Sequence, residues 1–140
     1  MKPRITVVTL GVDDLERSLA FYRNGLGLPT KGIVGTEFED GAVVFVEMSG
    51  GLILALYPRA SLAKEAGVPV SPPSPSELAL GHNVASKDEV DAVMAQAAAA
   101  GARVTDPART RFWGGYGGHF LDPDGHLWEV AWNPAWELPE

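Results

Sequence analysis

The stretch "FLDPDGHLWEVAW", Phe120 to Trp132, sets two strand-like runs on either side of a tight acidic turn, and the second run carries one carboxylate, Glu129, among apolar neighbours. A carboxylate on a strand that reads as buried needs a partner, because an unpaired buried charge is costly or shifts its pKa. Glu129 can serve as a metal ligand, a catalytic base or an ordinary rim residue, and the elements around it narrow that choice.

Upstream of this hairpin, "ARVTDPART" (102–110) and "GGYGGHFLD" (114–122) read as two more strands. Before them, "LALGHNVA" (78–85) is strand-like. Ser86 then caps a helix with Glu89 in capping-box position, and Val90, Val93, Met94 and Ala97 share one face until Gly101. The first half has the same grammar. "ITVVTLGV" (5–12) reads as a β-branched strand, and Asp13, with Glu16 three residues on, opens a helix through "DDLERSLAFYRNGLG". A short edge strand in "KGIVGTEFED" and a hairpin of "GAVVFVEMS" and "GLILALYP" follow, with a short helix in "RASLAKEAG". The prolines of "VPVSPPSPSE" remove backbone donors, so a linker is expected over 68–77 between repeats at 1–67 and 78–140. Each repeat has the order strand, helix, three strands, which predicts an α+β fold built by internal duplication.

Composition limits the function. The chain has 140 residues, 46% hydrophobic and 21% charged, an ordinary balance for a folded domain. With no cysteine, thiolate metal sites and cysteine nucleophiles are excluded, so the chemistry must use oxygen and nitrogen groups. A net charge of -7 without a basic run argues against nucleic acid and anionic membranes as partners. The apolar run before Asp13 is too short for a signal peptide, and a cytoplasmic protein with a small-molecule partner is the expectation.

On "VDDLERSLAFYRNGLGL" and "FLDPDGHLWEV", the chain resembles the vicinal oxygen chelate superfamily, which includes glyoxalase I, extradiol dioxygenases, and fosfomycin- and bleomycin-resistance proteins. The resemblance implies two tandem βαβββ modules forming a cupped mixed sheet, and a homodimer. It also implies metal ligands on the first and last strands of each module. The last of these falls on Glu129, whereas the other three positions fall on Val7, Ala55 and Leu80, whose side chains cannot bind a metal. A divalent ion ordinarily needs three or more protein donors, so no cofactor is expected.

His82 is two residues from Leu80 and so faces the same way. It can pair with Glu129 as an acid/base couple, hold a metal weakly with Glu129, or bond a backbone group at the cup wall. Thr9 shares parity with Val7 and can present a hydroxyl, and His119 points either to the cup or to solvent. In "RFWGGYGG", Trp113 and Tyr116 are amphipathic aromatics in a glycine-rich loop, suited to an organic ligand or to folding onto the core. The expected function is binding of a small, partly aromatic or hydrophobic molecule by Thr9, His82, Glu129, Trp113 and Tyr116, with His119 nearby. The rivals are a metal-dependent lyase or dioxygenase using Glu129 and His82, and sequestration of a cationic drug.

Overall fold

β-Branched residues at Val7, Val8, Thr9 and Val12 favour extended backbone, and they form the first strand, β1 (Val7–Val12). The computed structural model describes residues 1–138. The chain divides into two units at Pro72 and Pro73, inside the proline-rich stretch. In the first unit, β1 leads to α1 (Leu15–Leu19), then β2 (Thr30–Val34), β3 (Val43–Glu47) and β4 (Ile53–Pro58), with α2 (Arg59–Ala66) closing the unit. The strands lie in the order β1-β4-β3-β2, with β1 parallel to β4 and the other pairs antiparallel.

Alternation along these strands separates two faces. Leu10, Val12, Val44, Val46, Leu54 and Leu56 are buried, as are Leu19, Phe21 and Tyr22 from the helical segment. Phe21 and Tyr22 meet edge to face with ring centres 5.0 Å apart. Each such side chain stabilises the fold by roughly 1.5–3 kcal/mol on burial. The helix cap is Asp14 rather than Asp13, its carboxylate accepting from Arg17 N–H at 3.0 Å. Asp13 instead receives Arg59 Nε at 3.0 Å, so a tertiary ion pair took the residue that local spacing nominated. Beyond Leu19 the helix widens into a π-type segment, Ala20–Gly25, closed by a bond from Leu26 N–H to the Phe21 carbonyl.

The second unit repeats the plan. β5 (Ala79–Asn83) leads to α3 (Lys87–Ala99), then β6 (Arg103–Thr110), β7 (Tyr116–Leu121) and β8 (Leu127–Trp132). Their order, β5-β8-β7-β6, reproduces the first sheet strand for strand, again with first and last strands parallel. The fold is α+β, two βαβββ repeats each building a four-stranded mixed sheet. Val90, Met94 and Ala97 of α3 are buried together with Phe120, Trp128 and Val130 of the sheet, and the rings of Phe120 and Trp128 lie nearly parallel. In the turn before β8, the Asp122 carboxylate accepts from the Asp124 and His126 N–H groups at 3.0 and 2.8 Å. His126 is thus a turn residue, and the acidic Asp-Pro-Asp-Gly stretch shapes backbone.

Ser86 caps α3, its hydroxyl accepting from Glu89 N–H at 3.2 Å while Glu89 accepts from Ala85 N–H at 2.7 Å. Ser86→Ala removes one half of this reciprocal cap and is expected to destabilise the protein by about 1 kcal/mol. Urea denaturation measures it, and an unchanged midpoint would show that water replaces the cap.

Candidate functional site

The open face of the first sheet carries the side chains that alternate away from α1. Val7 and Thr9 of β1 lie beside Ile53 and Ala55 of β4, and Ala55 lies beside Phe45 of β3. Val7, Thr9, Phe45 and Ala55, with Val43, form the floor of a cavity of about 630 Å³ that has Tyr57 at its wall. Val7 and Phe45 keep nearly half of their surface exposed there. That size is in the range of small-molecule sites, which combine an apolar lining with a few placed polar groups.

The charged groups of this cavity come from the segment before β3 and from α2. Lys64 Nζ reaches Asp40 at 2.8 Å and Glu39 at 3.6 Å, and Ser61 donates to Asp40 at 3.2 Å. The Lys64 bond holds the Asp40 carboxyl below its ordinary pKa and raises that of Lys64 in return. Tyr57 Oη lies 2.5 Å from the Asp40 carbonyl and 2.8 Å from Glu65, whose carboxylate raises the phenol's pKa.

The open face of the second sheet is built differently. His119 of β7 lies directly beside Glu129 of β8, and Gly81 of β5 lies on the other side of Glu129. His119 Nε2 is 3.4 Å from Glu129, and its Nδ1 is 2.9 Å from Asp106 of β6. Asp106 also receives Arg111 at 2.5 Å and Arg109 at 3.2 Å. The Arg111 guanidinium, followed by His119 and Arg109, holds the Asp106 carboxyl well below the usual carboxylate range despite partial desolvation. Arg111 is itself anchored on the Gly117 carbonyl at 2.6 Å. The result is a line of groups, Arg111, Asp106, His119, Glu129, in which an ionised carboxylate orients an imidazole whose second nitrogen meets another carboxylate.

Two expected partners of Glu129 lie elsewhere. Leu80 and His82 are in register with Trp128 and Val130, on the α3 side of the sheet, so His82 and Glu129 occupy opposite faces. The error is one residue of register: Val7 stands seven residues before its cap Asp14, and seven before Ser86 is Ala79 rather than Leu80. Ala79 and Gly81 are the residues of β5 that share the face of Glu129. Tyr116 is in register with Trp132 on the α3 side, donates to Asp91 at 2.7 Å, and shares Lys87 with the Trp132 ring. It therefore braces α3 instead of facing the side of Glu129. Trp113 sits at the tip of the β6–β7 hairpin with its ring laid against Gly115, where a Cβ would collide with it, while Phe112 is fully exposed. Thr9 lines the first cavity and His119 adjoins Glu129. The residues that sequence reasoning missed are Asp106 and Arg111 on the second sheet, and Asp40, Tyr57, Lys64 and Glu65 on the first.

A sequence model of the Glyoxalase/Bleomycin resistance protein/Dioxygenase superfamily matches residues 4–130. The chain belongs to this superfamily. Among solved structures it is similar to a glyoxalase-related enzyme from Fulvimarina pelagi, with 37% identity, 98% of this chain and 93% of that one covered, and a TM-score of 0.83. The lactoylglutathione lyase of Agrobacterium tumefaciens matches at 23% identity over 97% of this chain and 98% of that one, with a TM-score of 0.69. The fosfomycin resistance protein FosX of Listeria monocytogenes matches at 23% identity over 96% and 97%, with a TM-score of 0.70. These last two show a shared fold alone. No curated protein matches the chain.

Metals are common in the superfamily, and the residues here do not fit the usual set. Val7 and Ala55 supply no donor, and the β5 residues on the face of Glu129 include Ala79 and Gly81. Among the described residues there is no group of three or more His, Asp or Glu side chains arranged to hold an ion. No helix among them is long and apolar enough to cross a membrane.

Asp106 supplies a test of the second-sheet network. A carboxylate whose folded pKa is depressed contributes stability above its unfolded pKa of about 3.9 and loses it as pH falls toward the folded value. Asp106→Asn should therefore lower the urea midpoint near about pH 7, and the gap should narrow below about pH 4, where the unfolded chain takes up the proton first. A gap that stays constant with pH would assign the loss to shape instead of charge.

Proposed function

We propose that this superfamily member binds a small organic molecule with an apolar body in the cavity of its first unit, without a divalent metal. The observation that carries the reading is the presence of Val7 and Ala55, side chains without donors, in the floor of a cavity of about 630 Å³. Those are two of the positions at which the resemblance implies ligands. Thr9 offers a hydroxyl there, and Phe45 and Tyr57 offer aromatic surface.

In the second unit, Glu129 and His119 form an acid/base pair in place of the expected Glu129 and His82. Asp106 fixes the imidazole by taking Nδ1–H, which leaves Nε2 to exchange a proton with Glu129. A line of oriented proton-carrying groups favours proton transfer over plain drug sequestration, since trapping needs no oriented imidazole. A metal-dependent lyase or dioxygenase is the rival reading. On this reading the two units are one domain joined by the proline-rich linker, with a homodimer taken from the family resemblance and a cytoplasmic setting as the default.

The test is the metal content of protein purified without chelator or affinity tag, followed by a ligand screen on Glu129→Gln. Substoichiometric metal is expected, with turnover of a cognate ligand lost in the variant while binding in the first-unit cavity persists and stability is retained or improved. One equivalent of tightly held metal would overturn the metal-free reading. Normal function with lowered stability in Glu129→Gln would make Glu129 a structural residue.

A further inference from the structure

The lining of the first cavity is divided by chemistry. Its floor is apolar apart from the Thr9 hydroxyl, and its charged groups are three carboxylates, Glu39, Asp40 and Glu65, against one ammonium, Lys64. That ammonium is engaged, since Asp40 holds it at 2.8 Å with Glu39 at 3.6 Å beyond. Glu65 differs from the other two. It receives the Tyr57 hydroxyl at 2.8 Å, a neutral donor that leaves this exposed carboxylate with water and no cationic partner at the edge of the apolar floor. The Tyr57 hydroxyl, shared with the Asp40 carbonyl, ties Glu65 to the segment before β3 and so fixes where the carboxylate is presented. Phe45 adds a half-exposed ring, whose electron-rich face attracts cations.

An anionic ligand finds no free cation in this lining, and a neutral one forgoes the charge-assisted contact that Glu65 offers. A positively charged donor makes it. We propose that the cavity takes a ligand with an apolar body and a cationic, hydrogen-bond-donating head such as a primary amine, the body covering Val7, Val43 and Ala55 and the head meeting Glu65. The proposal rests on the reading of this cavity as the ligand site and adds the charge of what fills it.

Three probes with one body and different heads separate the two ideas: phenylbutylamine, phenylbutanol and phenylbutyrate, titrated into the full chain at low ionic strength and followed by amide chemical shifts and calorimetry. The amine should bind at least about tenfold more tightly than the alcohol, and the butyrate most weakly, on the scale of one charge pair at a partly exposed site. Glu65→Gln keeps the side-chain shape and the Tyr57 bond, and it should remove most of the amine's advantage over the alcohol. Equal binding of amine and alcohol, or an amine preference that survives Glu65→Gln, overturns the cationic head and leaves the cavity reading intact. If none of the three binds, or if binding persists in Val7→Trp, whose added ring fills the exposed floor, both fall together.

Discussion

The parallel pairing of the first and last strands in each repeat is the constraint on which the rest depends. It aligns Thr9 with Ala55 in one unit and Gly81 with Glu129 in the other. Because side chains alternate across a strand, that alignment sends Leu54, Leu56, Trp128 and Val130 to the buried side and leaves Ala55 and Glu129 on the opposite face. A slip of one residue would expose Val130 and bury the Glu129 carboxylate. The cost of burying that charge, added to the loss of apolar burial, holds the register.

Two repeats with one topology have diverged into two kinds of surface. In the first, donor-free side chains at Val7 and Ala55 make an apolar floor, and charge is confined to groups brought in by α2 and the segment before β3. A floor of this kind holds organic matter by area, with affinity set by the few polar groups around it. In the second, polar residues remain on the sheet, where Arg111, Asp106, His119 and Glu129 satisfy one another. Such a chain is stable because each member has a partner of opposite or complementary character, and it is suited to moving a proton because the imidazole is oriented from one side.

The position of Asp106 shows how small backbone events place functional groups. In the β6–β7 hairpin Thr110 pairs with Tyr116 and Arg109 with Gly117, and unbroken counting would set Pro107 opposite His119. The pairing shifts by one residue between Arg109 and Asp106, so the partner of His119 is Asp106. Pro107 lies in that interval and has no N–H to give to a regular ladder, which is why a bulge belongs there.

Much of the fold was legible in the sequence by itself. The repeated strand, helix and three strands, the Ser86 cap, the turn at Ser49–Gly51 and the alternating hairpin around Asp122 all follow from local periodicity and turn chemistry. Glu129 was legible as the carboxylate on the face opposite Trp128 and Val130, because parity along one strand needs no knowledge of its neighbours. What only the tertiary structure decided were relations between strands. β5 has no clear apolar alternation in "ALGHN", so its register against β8, and with it the face of His82, came from pairing. Tyr116 turned to α3 because the hairpin register set it beside Trp132 and within reach of Asp91. The Asp106 partner of His119 came from a bulge, and the Tyr57, Asp40, Lys64 and Glu65 cluster from a loop and a helix meeting at the end of β4. Periodicity records which side of a strand a residue takes, whereas hydrogen-bond pairing between strands decides what stands beside it.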